Sequence, residues 1–227
     1  MREPVIILIF IFIAIIVVYL SYYFSKKNVI IRTLGKIPEK PASSLKTNEL
    51  SKVTGKALHV KKPLIAPYSE RECVFYQICI EQKVSTGKSS RWKTLVKEER
   101  FQEFFIQTKN DFVIIKPQEH PRNYICHLVK DKDQSSGTFN DPTPRFQSVL
   151  NRYNINPQNF LGFNKRLRYK EGIIEIGEDI TVAGIAKWKT LSEPIAEYPY
   201  SKIATLESTN KQKIIITDLP EARSKRV

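Results

Sequence analysis

The 227-residue sequence predicts a mainly β protein, with a single N-terminal transmembrane helix followed by a β-rich, OB-like barrel domain that carries a short helical insertion. Three observations carry this reading. Val5 to Phe24, VIILIFIFIAIIVVYLSYYF, holds no charge, proline or glycine, and fifteen of its residues are Ile, Leu, Val or Phe. Beyond residue 50, short runs rich in β-branched and aromatic residues alternate with turn residues. The segment PRFQSVLNRYNI breaks that pattern, placing Phe146, Val149, Leu150 and Tyr153 at helical spacing.

The apolar run covers roughly 30 Å as a helix, one hydrocarbon core. Each Ile, Leu, Val or Phe near its centre favours insertion by about 0.3–0.6 kcal/mol. Tyr19, Tyr22 and Tyr23 suit the headgroup boundary at one end. The run exceeds the core of roughly 7–15 residues found in a cleaved signal peptide. No small-x-small cleavage site follows it at Tyr22-Tyr23-Phe24-Ser25-Lys26. Arg2 and the terminal amine precede it; Lys26, Lys27, Arg32, Lys36 and Lys40 follow it. That asymmetry places the C-terminal domain on the cytoplasmic side. The expected organisation is an anchor over 1–27, a juxtamembrane connector over 28–50, a β-rich domain over 51–217 and a basic tail over 218–227. Pro38 and Pro41 interrupt any helix in the connector. A short helical turn is expected near 43–50.

Strand pattern begins with SKVTGKALHV, and CVFYQICIEQKV is the clearest strand in the chain. Its alternation puts Val74, Tyr76, Ile78 and Ile80 on one face, with Cys73, Phe75, Gln77 and Cys79 on the other. STGKSS reads as a polar hairpin tip, with RWKTLVKEER returning as the partner strand. FFIQT and FVIIKP form a hairpin around Lys109-Asn110-Asp111. Residues 118–143 read as loop by composition. After the helical segment, Asn156-Pro157 suggests a second short helical turn. RLRYKEGIIEI, DITVAGIAKW, KIATLES and KIIITDL are further strands, about nine in all. Gly55 and Gly184, inside strands, mark bulges or barrel corners.

Composition and motifs restrict function more than they define it. The net charge of +14 lies beyond the anchor, which suits contact with an anionic lipid surface. Nucleic acid is the less favoured partner: Arg91-Trp92-Lys93 and Lys187-Trp188-Lys189 carry the local look of aromatics among cations, but each Trp reads better as core or interface. Three cysteines, Cys73, Cys79 and Cys126, match no disulfide framework and suit a reducing compartment. No metal ligand set, cofactor or catalytic residue is expected: there is no C-x-x-C pair and no G-x-S-x-G elbow. QKVSTGKS departs from a phosphate loop by having Gln82 where glycine makes the tight turn. Glu98 and Glu99 point to opposite faces of a strand and read as solvated charge.

The order of these segments resembles the GIDE, or beside-a-membrane, domain of mitochondrial ubiquitin ligase activator of NF-κB and its plant and bacterial relatives. The resemblance spans about 42–188 and rests on Gly55, the PLIAP segment ending at Pro67, Cys73, Tyr76, Trp92, Phe105, Gly177 and Gly184. It implies a domain beside a membrane that recognises partners, while a RING finger elsewhere recruits the ubiquitin-charged enzyme. This chain departs from that pattern with one anchor instead of two. It also lacks the roughly eight Cys or His ligands that a RING needs for two zincs, since nothing after His127 is Cys or His. The expectation is therefore a non-catalytic, membrane-anchored module that binds a protein partner or the lipid surface. A ligase-like component that borrows its catalytic part is the alternative, and a nucleic-acid-binding barrel the second.

Overall fold

The computed structural model describes residues 2–109, 111–191 and 201–223, and the side chains of all of these except 2–5. The fold is mainly β. Its centre is a closed ring of five strands: β1 (Leu50–His59), β5 (Phe104–Thr108), β6 (Asp111–Ile115), β10 (Asp179–Thr190) and β11 (Lys202–Glu207). β1 pairs with β10 through Leu50–Lys56 and with β5 through Lys56–His59, which closes the ring. β5 pairs with β6, and β11 lies between β10 and a parallel β6. Counted within the barrel, the order is 1-2-3-5-4-1 with strands 3 and 5 parallel, the arrangement of an OB-fold. Val53, Phe104, Ile106, Val113, Val182 and Leu206 fill the interior. Two short strands, β12 (Ile214–Thr217) and β7 (Tyr124–His127), extend the sheet from β10.

A second sheet is inserted into this barrel. Residues 60–103 leave it between β1 and β5, and residues 116–178 between β6 and β10. They supply β8 (Lys132–Ser136), β9 (Leu167–Glu175) and β3 (Glu72–Ser85), with β4 (Ser90–Phe101) and β2 (Leu64–Ile65) on the far edge of β3. Helix α3 (Pro144–Arg152) packs Phe146, Val149 and Leu150 onto Ile78, Ile80, Tyr169 and Ile173 of this sheet. Its start is built from Thr143, whose Oγ1 accepts from the Phe146 N–H at 3.2 Å, and from Pro144 in the first turn.

Gly55 sits where β1 turns from β10 toward β5. A Cβ there would lie 2.2 Å from the Gln107 carbonyl oxygen, so only glycine lets the two strands meet. Gly177, at φ 84°, makes the tight turn between β9 and β10.

Several sequence readings change. A β-bulge between Cys73 and Phe75 swaps the facing of β3. Cys73 consequently joins Tyr76, Ile78 and Ile80 in the second core, while Val74 and Phe75 fill the barrel. The stretch read as loop holds β7 and β8; β8 is a polar edge strand (KDQSS) whose only strong cue is its pairing with β9. No helix starts at Asn156, whose side chain instead accepts from the Gln158 N–H in a local turn. Glu98 and Glu99 do face opposite ways, but neither is solvated charge. Glu98 accepts from Tyr76 and Tyr153, and Glu99 from Arg122 and Tyr124. Among the described residues there are twelve strands, not nine. The Thr108–Asp111 pairing closes the expected hairpin, whose Asn110 lies outside the described residues.

Candidate interaction surface

The N-terminal apolar run is helix α1 (Arg2–Tyr23), and nothing in Ile6–Tyr23 is buried against the domain. By length and composition this one helix is sufficient to cross a membrane. Val5 lies within it, its side chain outside the described residues; Phe24 is exposed, edge-on to Tyr23. A second helix, α2 (Lys26–Gly35), follows at once, capped by Ser25. It occupies the expected connector because the prolines begin only at Pro38, three residues beyond its end. Ile30 and Leu34 seat it on Ala183, Ile215, Leu219 and Ala222, so the start of the expected tail is folded; 224–227 lie outside the described residues.

Two of the predicted membrane-flanking cations, Arg32 and Lys27, have local partners here. Arg32 donates to the Tyr23 carbonyl at 2.6 Å with its guanidinium 3.8 Å above the Tyr23 ring, and Asn28 donates to the Tyr22 carbonyl. Arg32 thus satisfies a carbonyl at the end of α1, and Asn28 adds a second donor to a Tyr22 carbonyl that already accepts the Ser25 N–H. Lys27 pairs with Glu221 at 2.7 Å. Lys36 is the exposed C-terminal cap of α2. Burial, with Lys26 and Lys27 close by, pulls the His127 imidazole below its ordinary range.

The eight motif positions do not converge. Gly55, Gly184 and Phe105 belong to the barrel wall, Phe105 packing edge-on to Phe112 outside the main core. Cys73 and Tyr76 lie in the second core. Pro67 begins the turn whose Tyr68 and Ser69 N–H groups donate to Glu171. Gly177 joins sheet to barrel. Gly177 and Trp92 are exposed, and Trp92 is the one that presents a side chain, with the Arg168 guanidinium 4.0 Å above its ring. Trp188 is also part-exposed rather than core, its indole N–H donating to the Leu45 carbonyl.

Trp92 leads to the feature that sequence patterns missed. At the end of the second sheet away from the barrel, four elements finish together: the β3–β4 hairpin, the end of β8 and the start of β9. Two turns project from this end. In one, Gly137 and Asn140 exchange backbone hydrogen bonds at 2.8 and 2.9 Å, leaving Phe139 wholly exposed. In the other, the Asn159 side chain accepts from the Leu161 and Phe163 N–H groups at 2.9 and 3.0 Å. That turn holds Phe160 (94% exposed), Leu161 and Phe163 outward. A hydrogen bond from Asn164 to Asp141 ties the turns together, and the Lys83 N–H donates to the Arg166 carbonyl to join the hairpin. The segments 83–93, 137–141 and 156–166 hold six cations, Lys83, Lys88, Arg91, Lys93, Lys165 and Arg166, against one carboxylate, Asp141. The signal for this surface was local: Phe-Leu-Gly-Phe and Thr-Phe-Asn-Asp are apolar residues placed inside turn sequences.

Elsewhere, a cavity of about 220 Å³ is lined by Cys79, Lys97, Lys130 and Lys170 among others. Burial pushes the Cys79 thiol up, which makes it a poor nucleophile. Among the described residues no three His, Cys, Asp or Glu side chains converge as a metal site would require.

A family model described as GIDE, E3 ubiquitin ligase, matches residues 79–217, from the middle of β3 to the end of β12. Trp92, Phe105, Gly177 and Gly184 fall inside that span; Gly55, Pro67, Cys73 and Tyr76 precede it. No curated protein and no solved structure matches the chain.

Proposed function

Because the chain belongs to the GIDE family, we propose that it is a membrane-anchored interaction module of the ubiquitin-ligase type, acting by binding and not by its own catalysis. In this reading α1 spans the bilayer, and the basic flank after it holds the β domain at the cytoplasmic face. α2, seated on β10 and β12, then sets how the domain stands off the membrane. The observation that carries the proposal is the pair of ordered turns that keep Phe139, Phe160, Leu161 and Phe163 in solvent. Each such side chain forgoes about 1.5–3 kcal/mol of burial, a cost that coverage by a partner surface removes.

A photo-crosslinking phenylalanine at position 160, irradiated in the full chain within its own membranes, tests this. Adducts from position 160 and none from exposed Lys61 are expected; no adduct from 160, or equal yields, would overturn it. A second reading follows from the family's description: a component of a ubiquitin ligase that relies on a partner for catalysis. It requires the full chain to accelerate ubiquitin discharge from a charged conjugating enzyme when a RING partner is supplied, and to have no effect alone.

A further inference from the structure

We propose that the outer end of the second sheet docks on an anionic phospholipid bilayer. Phe139, Phe160, Leu161 and Phe163 enter the headgroup boundary, and the surrounding lysines and arginines pair with lipid phosphates and carboxylates. This rests on the interaction-module reading and names the class of surface that the module meets.

The shape of the tip favours a bilayer over a folded partner. Its apolar side chains, Phe139 on one turn and Phe160, Leu161 and Phe163 on the other, protrude into solvent and line neither the cavity beside Cys79 nor the cleft beside Asn154, whereas a protein hot spot needs a complementary pocket around each anchor. A fluid interface accepts protruding side chains without shape matching, and aromatic rings favour that depth. Both turns are closed by their own backbone and Asn159 hydrogen bonds, so the side chains are presented already ordered. A single-stranded nucleic acid would ask for flat aromatic faces along a cationic groove. Here one inserting residue is aliphatic, and the three phenylalanines are split between two turns, with no run of stacked faces along a strand.

Charge gives the sign of the surface. None of the six cations makes an ion pair among the described residues, and Asp141 is occupied by Asn164. The neighbouring Glu81 is engaged by Arg168 and Lys170, so among the described residues no free carboxylate there offsets the field. Cations held this close to an anionic leaflet each add to binding within a Debye length. Trp92, part-exposed beneath Arg168, adds an interfacial ring at the hairpin edge.

The test uses the full chain held by α1 in nanodiscs, with an environment-sensitive dye on Thr138→Cys in a Cys79→Ser background, since Cys73 and Cys126 are buried. Discs and added vesicles are either phosphatidylcholine alone or contain phosphatidylserine. A blue shift that requires phosphatidylserine is expected, whether the serine lipid is in the disc that holds the anchor or in the added vesicle. The paired change Phe160→Ser with Phe163→Ser, and separately Lys88→Glu with Arg91→Glu, should each weaken it at least about tenfold while leaving thermal unfolding unchanged. No response to either membrane, a response equal with phosphatidylcholine alone, or one untouched by these changes would overturn the proposal. If position 160 crosslinks to a protein while the dye ignores lipid, the bilayer inference falls and the module reading stands. If position 160 crosslinks to nothing, both fall.

Discussion

The hydroxyl of Tyr169 donates to the carboxylate of Glu171 at 2.7 Å, inside the second core. Glu171 is almost wholly buried, yet each of its oxygens has a partner, because the Tyr68 and Ser69 N–H groups donate to it at 2.9 and 3.1 Å. A buried carboxylate persists only when its lone pairs are met. Tyr169→Phe should therefore cost about 1.5–3 kcal/mol, the scale of a hydrogen bond to a charged group. Glu171→Ala should cost more, since it leaves three donors unmet. Thermal unfolding of the full chain in detergent checks the ranking.

Gly55→Ala should be among the most damaging single changes. The added methyl would meet backbone, the Gln107 carbonyl, and backbone cannot step aside as a side chain can. A loss of at least about 3 kcal/mol is expected, at the upper end for overpacking. At Gly184 the nearest atom to an added Cβ is 3.1 Å away, so Gly184→Ala should cost less. Their unfolding midpoints, compared side by side, decide it.

Burial raises the Glu178 carboxyl to about 7, with Asp218 and Asp131 adding to the rise against the Glu175 N–H that it accepts. The folded chain keeps this proton up to about pH 7, while the unfolded chain releases it near the ordinary 4.5. The folded state therefore binds more protons between these values, and stability falls as pH rises through that window. Glu178→Gln should remove part of the slope and be more stable than the parent at pH 8, by about 1–3 kcal/mol. Some slope should remain, because burial also raises Asp218, to about 6. Unfolding measured from pH 4 to 8 tests both statements.

Leu34 is fully buried between α2 and the barrel. Leu34→Ala should cost about 2–5 kcal/mol in that contact and loosen α2 first. Trypsin should then cut at Arg32 and Lys36 much faster than in the parent, with cleavage within the barrel little changed.

What could be read from sequence was what repeats locally. The α1 run, the β-branched and aromatic runs of β3, β9, β10 and β12, and the i, i+3, i+4 spacing of α3 each declare themselves within a dozen residues. What escaped depends on neighbours. The bulge beside Val74 exchanges the facings of Cys73 and Val74, and no composition rule places it. β8 exists because β9 offers it a ladder, not because KDQSS favours extended chain. α2 had a start signal in Ser25, but Val29, Ile30, Ile31 and Thr33 are weak helix formers, and its stability comes from packing on β10 and β12. The tip was legible only as punctuation: aromatics inside turns look incidental until the fold gathers them at one end.

The barrel's closing seam has a consequence for how the chain is made. Thr54 faces Thr181 across β1 and β10, 127 positions later, and their hydroxyls meet at 3.2 Å. At a translation rate of about 5–20 residues per second, the ribosome spends roughly 6–25 s between these two residues. Through that interval β1 has no β10 to pair with, however early α1 has left the exit tunnel. The nascent domain waits with an open edge, and closing it is a long-range step of the kind that makes folding slow.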